Sequence, residues 1–138
     1  MDAPRILIVD DDAAVTRILQ RVFAQSGFAP TTVCNGREAI AALATAEYTA
    51  MICDIQMPKM NGRELCQHLA TAGPYFPDCV CVVTSRTEDE ERGWVREYPN
   101  VSLVEKPVGP KQLLRLVRAK LRDARDPDAD ADAERRAA

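Results

Sequence analysis

The sequence predicts an α/β fold, a doubly wound five-stranded parallel sheet with helices on both faces. Five short strand-like runs alternate along the chain with segments of helical periodicity, which is the order of repeated β-α units. The strands are apolar on both faces, as in a parallel sheet that helices cover on each side. Right-handed crossovers between successive strands then distribute the helices over both faces.

The first half of the chain contains three predicted strands and two helices. Residues 5–9 form a buried strand, and the next helix ends before Gly27. Apolar residues recur along one face of this helix, namely Val15, Ile18, Leu19, Val22 and Phe23. A second strand covers residues 30–34. Asn35-Gly36 then turns the chain into a helix with Ala39, Ile40 and Leu43 inward, and residues 49–53 form the third strand.

The second half continues the same alternation. A loop leads to a helix that starts near Asn61 and carries Leu65 and Leu69 on one face. After two prolines come a strand, a weaker helix, a strand and a last helix, at residues 79–83, 88–98, 101–104 and 110–122. The last helix has an apolar stripe of Leu113, Leu114, Val117 and Leu121.

Composition predicts one domain over residues 1–122 of the 138, with an ordinary hydrophobic content of 46%. No apolar run approaches membrane-spanning length and the N-terminus lacks a secretory stretch, so we expect a cytoplasmic protein without a membrane partner. The five cysteines form no C-x-x-C pair, and a single histidine offers no zinc partner at a useful spacing. Small buried hydrophobes are the better interpretation of them.

Charge is unevenly placed along the chain. The formal net charge is −3, and residues 123–138 carry all of it with five Asp and one Glu against three Arg. The neutral body predicts no direct binding of nucleic acid. The acidic, Ala-rich tail at 123–138 has no apolar periodicity and is expected to be disordered or a frayed helix extension.

Polar landmarks follow four of the predicted strands at their carboxyl ends. They are Asp10-Asp11-Asp12, Asp54, Thr84-Ser85 and Lys106-Pro107. Because the carboxyl ends of parallel strands meet at one edge of the sheet, these groups should lie close together, near the switch in strand order. Each has a plain interpretation when it is taken alone, such as Asp12 as a helix N-cap or Lys106 as a surface charge.

Taken together, the landmarks favour phosphoryl chemistry. Carboxylates from separate strand ends, Asp10, Asp11 and Asp54, are the hard oxygen ligands that Mg²⁺ prefers. Phosphoryl transfer needs positioning and neutralisation of the equatorial oxygens, which the Thr84 hydroxyl and the Lys106 ammonium could supply. A proline after the lysine restricts its backbone, so its side chain is positioned.

On these motifs the chain resembles the receiver domain of two-component response regulators, over about residues 4–122. The resemblance implies the flavodoxin-like strand order 2-1-3-4-5 and a stand-alone receiver with Mg²⁺ as its cofactor. It implies that Asp54 is the phospho-accepting nucleophile. Asp11 matches the direct metal ligand, Asp10 the acid that holds the metal through water, and Gln56 the residue that offers its backbone carbonyl.

The resemblance also implies a switch and partners. Thr84 matches the hydroxyl that moves toward the phosphoryl group, and Lys106 matches its ion-pair partner, with a cis Lys106-Pro107 bond. The expected phosphoryl donor is a histidine kinase or a histidine phosphotransfer protein. The expected output is an unknown protein or a second copy of the chain. Such a domain catalyses its own phosphorylation and dephosphorylation, but it is mainly a signalling switch.

The chain departs from the family pattern in its output region. Leu103 stands where the family usually has Tyr or Phe, so transmission by a turning ring is in question. Gly93 weakens the fourth helix by about 1 kcal/mol relative to Ala. Trp94, with Tyr98 one turn later, either fills the core or contacts a partner. Gln56 and Arg86 are each two residues beyond a landmark and should border the path of a hydrolytic water.

Two alternatives belong to other classes. Haloacid-dehalogenase-like phosphatases also place Asp-x-Asp after a first strand, and Asp10 and Asp12 fit that spacing. That family needs further acids on a strand end after the lysine, where this chain has only the predicted helix 110–122 and the tail. Assignment to that family would also leave the Asp54 segment unexplained. The second alternative is a receiver-like binding module that is never phosphorylated, for which the altered Leu103 is the best support.

Overall fold

A computed structural model describes residues 3–85 and 89–125, in which five strands and five helices alternate. The strands are β1 Arg5–Val9, β2 Ala29–Val33, β3 Ala50–Asp54, β4 Cys79–Thr84 and β5 Val101–Glu105. The helices are α1 Ala13–Gln25, α2 Gly36–Thr45, α3 Gly62–Ala72, α4 Asp89–Val95 and α5 Pro110–Arg125. None of the described helices is both long and apolar enough to cross a membrane.

All five strands are parallel in one sheet of order β2-β1-β3-β4-β5, which confirms the predicted fold class and strand order. The chain runs outward from β1 to β2, then returns past β1 to β3 and continues to β5. The direction of winding therefore reverses between β1 and β3. In open α/β sheets, a ligand site forms at the carboxyl ends of the strands beside such a reversal.

Each face of the sheet carries its own core. Residues of α2, α3 and α4 pack on one face, with Leu43, Leu65, Leu69 and Trp94 over alternate residues of the strands. Residues of α1 and α5 pack on the other face, with Phe23, Leu113, Val117 and Leu121 over the remaining alternate residues. Because side chains alternate across a strand, strands covered on both faces have to be apolar at every position.

Side-chain caps fix where three helices begin. The Asp12 carboxylate accepts the backbone N–H groups of Ala14 and Val15 at the start of α1. Asn35 caps α2 through the N–H of Glu38. Asn61 begins α3 with a reciprocal capping box, in which Glu64 returns a hydrogen bond to the Asn61 N–H. These caps set the loop lengths between the strand ends and the helices.

The ends of two helices differ from the sequence-based prediction. The fourth helix ends at Val95, not at residue 98, because the next residues form tighter turns such as Tyr98 N–H to the Val95 carbonyl at 3.1 Å. The last helix runs to Arg125, three residues into the predicted tail. The rest of that tail, residues 126–138, lies outside the described part of the chain.

The apolar face of α1 is only partly buried. Leu19 and Phe23 lie in the core, whereas the Ile18 side chain is 53% exposed. Ile18 borders a cavity between α1 and α5, so it lies on the rim of the helix contact rather than inside it.

Candidate functional site at the carboxyl edge of the sheet

The strand ends bring the predicted site residues to one edge. Asp10 follows β1, Asp54 ends β3, Thr84 ends β4 and Lys106 follows β5. The ladder continues slightly past the strands, since the Lys106 N–H donates to the Thr84 carbonyl at 2.7 Å. The site residues are therefore anchored by sheet hydrogen bonds and not by loops alone.

Three carboxyl groups form a cluster that is suited to a hard cation. Asp10, Asp11 and Asp54 each offer one ligand atom, and these atoms lie within 4.8 Å of one another. Asp10 and Asp54 are buried, whereas Asp11 is exposed. Negatively charged oxygens this close repel one another unless a cation lies between them. The donor set is thus what Mg²⁺ prefers, with an exposed side left for water.

The environment of Asp10 disfavours its charge. Burial raises the pKa of this carboxyl group above its ordinary value of 3.8, and the neighbouring charges of Asp54 and Asp11 act in the same direction. One Asp10 oxygen accepts the Asp12 N–H at 2.9 Å, which lowers the pKa and offsets part of the rise. A carboxylate held in an unfavourable environment gains from a bound cation.

Asp12 lies outside this cluster, although it is the third acid of the run. Its carboxylate is exposed and caps α1, with the Ala14 N–H at 3.0 Å and the Val15 N–H at 3.4 Å. The Asp-x-Asp spacing of Asp10 and Asp12 therefore does not bring two carboxylates to one metal cluster here.

Asp54 is held from both of its oxygens. One oxygen lies 3.4 Å from the Lys106 ammonium, and the other accepts the Gln56 N–H at 3.2 Å. The Lys106 side chain is 39% exposed, so its charge also reaches the open side of the site. The Lys106–Pro107 peptide bond is cis, as the resemblance implies.

Thr84 completes this edge from the neighbouring strand. Its side chain is buried, with 1% of the residue exposed, and β4 pairs with both β3 and β5. Asp54 lies opposite Val83 in the register, one residue before Thr84. The hydroxyl is thus carried on the strand between the acid and the lysine.

The loop after Asp54 is closed against the strand that carries it. The Gly62 N–H donates to the Ile55 carbonyl at 2.9 Å, which brings the start of α3 back to the end of β3. A Cβ atom on Gly62 would lie 3.0 Å from the Asp54 carbonyl oxygen. Only glycine permits this approach without displacing the backbone next to Asp54.

A cavity of about 500 Å³ opens beside the acid cluster, and the sequence pattern alone did not indicate it. Its walls are largely apolar, and Asp10, Asp54 and Lys106 also line it. The apolar lining comes from α1, α5 and the strand ends, notably Val15, Ile18, Leu19, Pro107, Val108 and Leu113. The exposed Ile18 on the α1 stripe is the residue that could have indicated it.

The residues of the expected output region, Leu103 on β5 and Trp94 on α4, lie on the sheet face that α2, α3 and α4 cover. Leu103 is half-buried and borders a cavity of about 320 Å³ that Arg92, Arg96 and Glu105 also line. Trp94 is in the core at 3% exposure, and its indole N–H donates to Glu91 at 2.6 Å. The structure thus shows the core-filling arrangement of Trp94.

Gln56 and Arg86 are the two residues expected near a hydrolytic water. The Gln56 side chain is exposed next to Asp54. Arg86 lies outside the described residues.

Comparison with known proteins identifies the family. A family model of the response regulator receiver domain matches residues 6–118. A response regulator MprA of Mycolicibacterium vanbaalenii is 34% identical over 118 residues, which are 86% of this chain and 50% of that protein. The MprA of Mycobacterium bovis strain BCG is 33% identical over 125 residues, 91% of this chain and 54% of that protein. The chain spans about half the length of these relatives.

Solved structures show the same fold. The chemotaxis protein CheY4 of Vibrio cholerae superposes with a TM-score of 0.77 at 24% identity, over 85% of this chain and 98% of CheY4. Sheet order, the acid cluster at its carboxyl edge and the match over residues 6–118 agree with one another. The chain therefore belongs to the response regulator receiver domain family.

Proposed function

We propose that this receiver domain accepts a phosphoryl group on Asp54 in a Mg²⁺-dependent reaction and that the phosphorylated form changes its protein contacts. The observation that supports this most directly is the position of the Asp54 carboxylate. One of its oxygens lies 3.4 Å from the Lys106 ammonium, and the cluster with Asp10 and Asp11 lies on the same edge.

In the proposed reaction an Asp54 oxygen attacks the phosphorus of a phosphohistidine. The phosphorus–nitrogen bond breaks, and the imidazole nitrogen keeps the electron pair. Lys106, close to Asp54 and partly exposed, neutralises oxygens of the incoming group. Because the transition state is loose, positioning and charge neutralisation are the main tasks of the protein.

Receiver domains bind Mg²⁺ at an acidic pocket, and the cluster here fits that ion. We propose that Asp11 and Asp54 hold Mg²⁺ directly, that Asp10 holds it through water, and that the Gln56 backbone carbonyl is a further ligand. Bound Mg²⁺ would offset the repulsion between the Asp54 carboxylate and an anionic phosphoryl group.

We propose that Thr84 and Lys106 sense the product. A phosphoryl group adds a charge near −2 and several strong acceptor oxygens. The Thr84 hydroxyl lies at the end of the strand next to Asp54, and Lys106 already pairs with Asp54. A new acceptor at Asp54 would draw both groups toward it and shift the ends of β4 and β5.

We propose that a histidine kinase or a histidine phosphotransfer protein donates the phosphoryl group and docks over the apolar cavity. Ile18 on α1 and Asp54 both line this cavity, so a helix seated there could bring its phosphohistidine to the acid. Exposed Ile18 gives such a helix an apolar contact outside the reacting groups.

For the output we propose docking to a target protein or to a second copy of the chain through the face around Leu103. With leucine at this position, a ring cannot fill the space between α4 and β5, and a cavity lined by Arg92 and Arg96 lies there. A shift of the β4 and β5 ends would change the shape of this cavity, which a partner could recognise.

The test is incubation of the purified chain with Mg²⁺ and acetyl phosphate, followed by intact mass measurement. We expect a gain of one phosphoryl group that disappears in Asp54→Asn and after chelation of Mg²⁺. Asp12→Asn is the matched control, because Asp12 lies in the same run and caps α1 instead of joining the cluster.

Two outcomes would contradict the proposal. No mass gain in the unchanged chain would favour the binding module that is never phosphorylated. An equal gain in Asp54→Asn would place the modification on another residue.

A further inference from the structure

The cavity beside the acid cluster combines the reacting groups with apolar walls. In the described part of the chain three charged residues line it, Asp10, Asp54 and Lys106, and all three belong to the proposed phosphoryl site. Apart from Ser85, the remaining lining side chains are apolar. A molecule that fills this cavity therefore needs a charged group that suits Lys106 and a body that is apolar.

The walls of this cavity reach the core of the protein. Leu19, Ile52, Val83 and Leu113 line it, and all four are buried. Its volume of about 500 Å³ lies within the range of about 300–1,000 Å³ in which proteins hold small ligands. An apolar group placed against these side chains is removed from water, which favours binding in proportion to the area buried.

The size of the cavity distinguishes two kinds of occupant. An α-helix is about 10–12 Å across with its side chains. A protein donor whose helix rests on the exposed Ile18 therefore covers the cavity and does not fill it. An unbranched alkyl chain is much narrower and can lie along the apolar walls. The interior thus suits the apolar part of a small amphipathic molecule.

The charged residues indicate which amphipathic molecule fits. Asp54 is the proposed nucleophile, and the Lys106 ammonium lies 3.4 Å from it on a side chain that is 39% exposed. Lys106 can therefore neutralise the oxygens of a phosphoryl group. A carboxylate leaves phosphorus with the electron pair and needs no proton, so an acyl phosphate requires no general acid. An acyl phosphate with an apolar chain matches both the charged residues and the apolar walls.

We propose that the cavity binds the apolar chain of small acyl phosphates, so that alkanoyl phosphates longer than acetyl phosphate are preferred phosphoryl donors of this site. An Asp54 oxygen attacks phosphorus, the bond between phosphorus and the acyl oxygen breaks, and the carboxylate leaves with the electron pair. No proton is transferred in this step. Because Asp54 is the proposed phosphoryl acceptor, this class of donor rests on the proposed function.

A series of donors that differ only in chain length provides the test. Acetyl, butyryl and hexanoyl phosphate release carboxylic acids of nearly equal acidity, so they differ in apolar length and not in reactivity. Each fully buried methylene should raise kcat/KM about fourfold, and we expect a gain of roughly tenfold or more from acetyl to hexanoyl phosphate. Intact mass measurement follows the reaction of the whole chain with Mg²⁺. Phosphoramidate, which has no acyl chain, reports on the acid site alone.

Two valines of α1 provide a matched pair of variants. Val15 and Val22 are both half-buried and pack against the same core, and of the two Val15 lines the cavity. Val15→Phe should bring the ratio of the hexanoyl to the acetyl rate close to one, because the larger side chain takes the space of the alkyl chain. Val22→Phe should keep the ratio of the unchanged chain. The series on the unchanged chain gives a result even if a variant fails to fold.

The possible results separate this inference from the proposed function. Equal rates along the series, with acetyl phosphate and phosphoramidate still modifying Asp54, would overturn the inference alone and leave the cavity to a protein donor. No modification by any of the donors would overturn the proposed function as well. A gain with chain length that persists in Val15→Phe, or that Val22→Phe also removes, would overturn the assignment of the alkyl chain to this cavity.

Discussion

At the scale of single residues, the acid cluster that is proposed to bind a cation lowers the stability of the metal-free fold. Asp10 is buried at 8% exposure and lies with Asp11 and Asp54 in a group of ligand atoms within 4.8 Å of one another. Its raised pKa means that folding disfavours its charged form. A buried acid with a raised pKa lowers stability as pH increases from its ordinary value through its folded value. This loss of stability results from the close, buried placement of acids that a tight cation site requires.

Asp10→Asn should therefore stabilise the metal-free protein at pH 7 by on the order of 1 kcal/mol. The amide oxygen can still accept the Asp12 N–H, so the change removes charge but keeps that hydrogen bond. Urea denaturation in the presence of a chelator measures the effect. The gain in stability should shrink as the pH falls toward 3.8. At low pH the Asp10 carboxyl group of the unchanged chain becomes protonated in the folded and in the unfolded protein, so its charge no longer opposes folding.

Asp12→Asn is the control for this change. It removes one charge two residues away, but Asn caps a helix about as well as Asp. We expect its stability to be close to that of the unchanged chain. Addition of Mg²⁺ should stabilise the unchanged chain and Asp12→Asn more than Asp10→Asn. Equal stabilisation of all three by Mg²⁺ would remove Asp10 from the proposed metal site.

At the scale of elements, two helical glycines have opposite structural meanings. Gly62 begins α3 in contact with β3, and an added Cβ would lie 3.0 Å from the Asp54 carbonyl oxygen and from the Ile55 Cα. Gly93 lies inside α4, and an added Cβ would meet nothing within 4 Å. The first glycine is needed for packing beside the site, and the second only weakens its helix.

Gly93→Ala should stabilise the protein by about 1 kcal/mol, the usual difference in helix propensity between these residues. Gly62→Ala should destabilise it by roughly 1–3 kcal/mol, because backbone beside Asp54 has to move. Urea denaturation of the two variants compares the same added methyl group at both helices. A stable Gly62→Ala with unchanged phosphorylation would contradict the packing role of Gly62.

At the scale of the whole molecule, the two exposed large hydrophobic residues of the described chain border different cavities. Ile18 on α1 borders the cavity beside Asp54, and Leu116 on α5 borders a cavity of about 350 Å³ between β5 and α5. An exposed apolar side chain beside a reactive group suggests a contact with the reaction partner. Substitution of each residue in turn can therefore distinguish the loss of donor docking from a general effect of a charge at an exposed apolar position.

Ile18→Glu should reduce phosphorylation by a histidine kinase at least tenfold, a loss of about 1.4 kcal/mol, and leave phosphorylation by acetyl phosphate unchanged. The small donor needs only the site, whereas the protein donor also needs the apolar rim. The kinase is the one that phosphorylates the unchanged chain fastest among purified, autophosphorylated kinases. Leu116→Glu is the matched control, for which we expect normal rates with both donors. Equal losses in the two variants would refute docking at α1.

The strand order was implied by the resemblance to the receiver family, whereas the gathering of the site residues followed from the sequence pattern, because the carboxyl ends of parallel strands share one edge of the sheet. Runs of apolar residues marked each strand, and the acids, Thr84 and Lys106 followed them directly. The end of α4 was predicted three residues too far along, since a short helix with Gly93 can finish in tighter turns.

Features that depend on how elements meet could not be predicted in the same way. Helical periodicity assigned Ile18 to the apolar face of α1, but only the packing angle of α1 and α5 decides that it lies on a rim. The cavities depend on the same geometry.

Hydrogen bonds beyond the strand ends have a consequence for how the site moves. The Ile55 N–H donates to the Val83 carbonyl, and the Lys106 N–H donates to the Thr84 carbonyl. The backbone beside Asp54 and at Lys106 can thus move away from β4 only if these two hydrogen bonds break. We therefore expect the Ile55 and Lys106 amide protons to exchange with solvent more slowly than those of the surrounding loops.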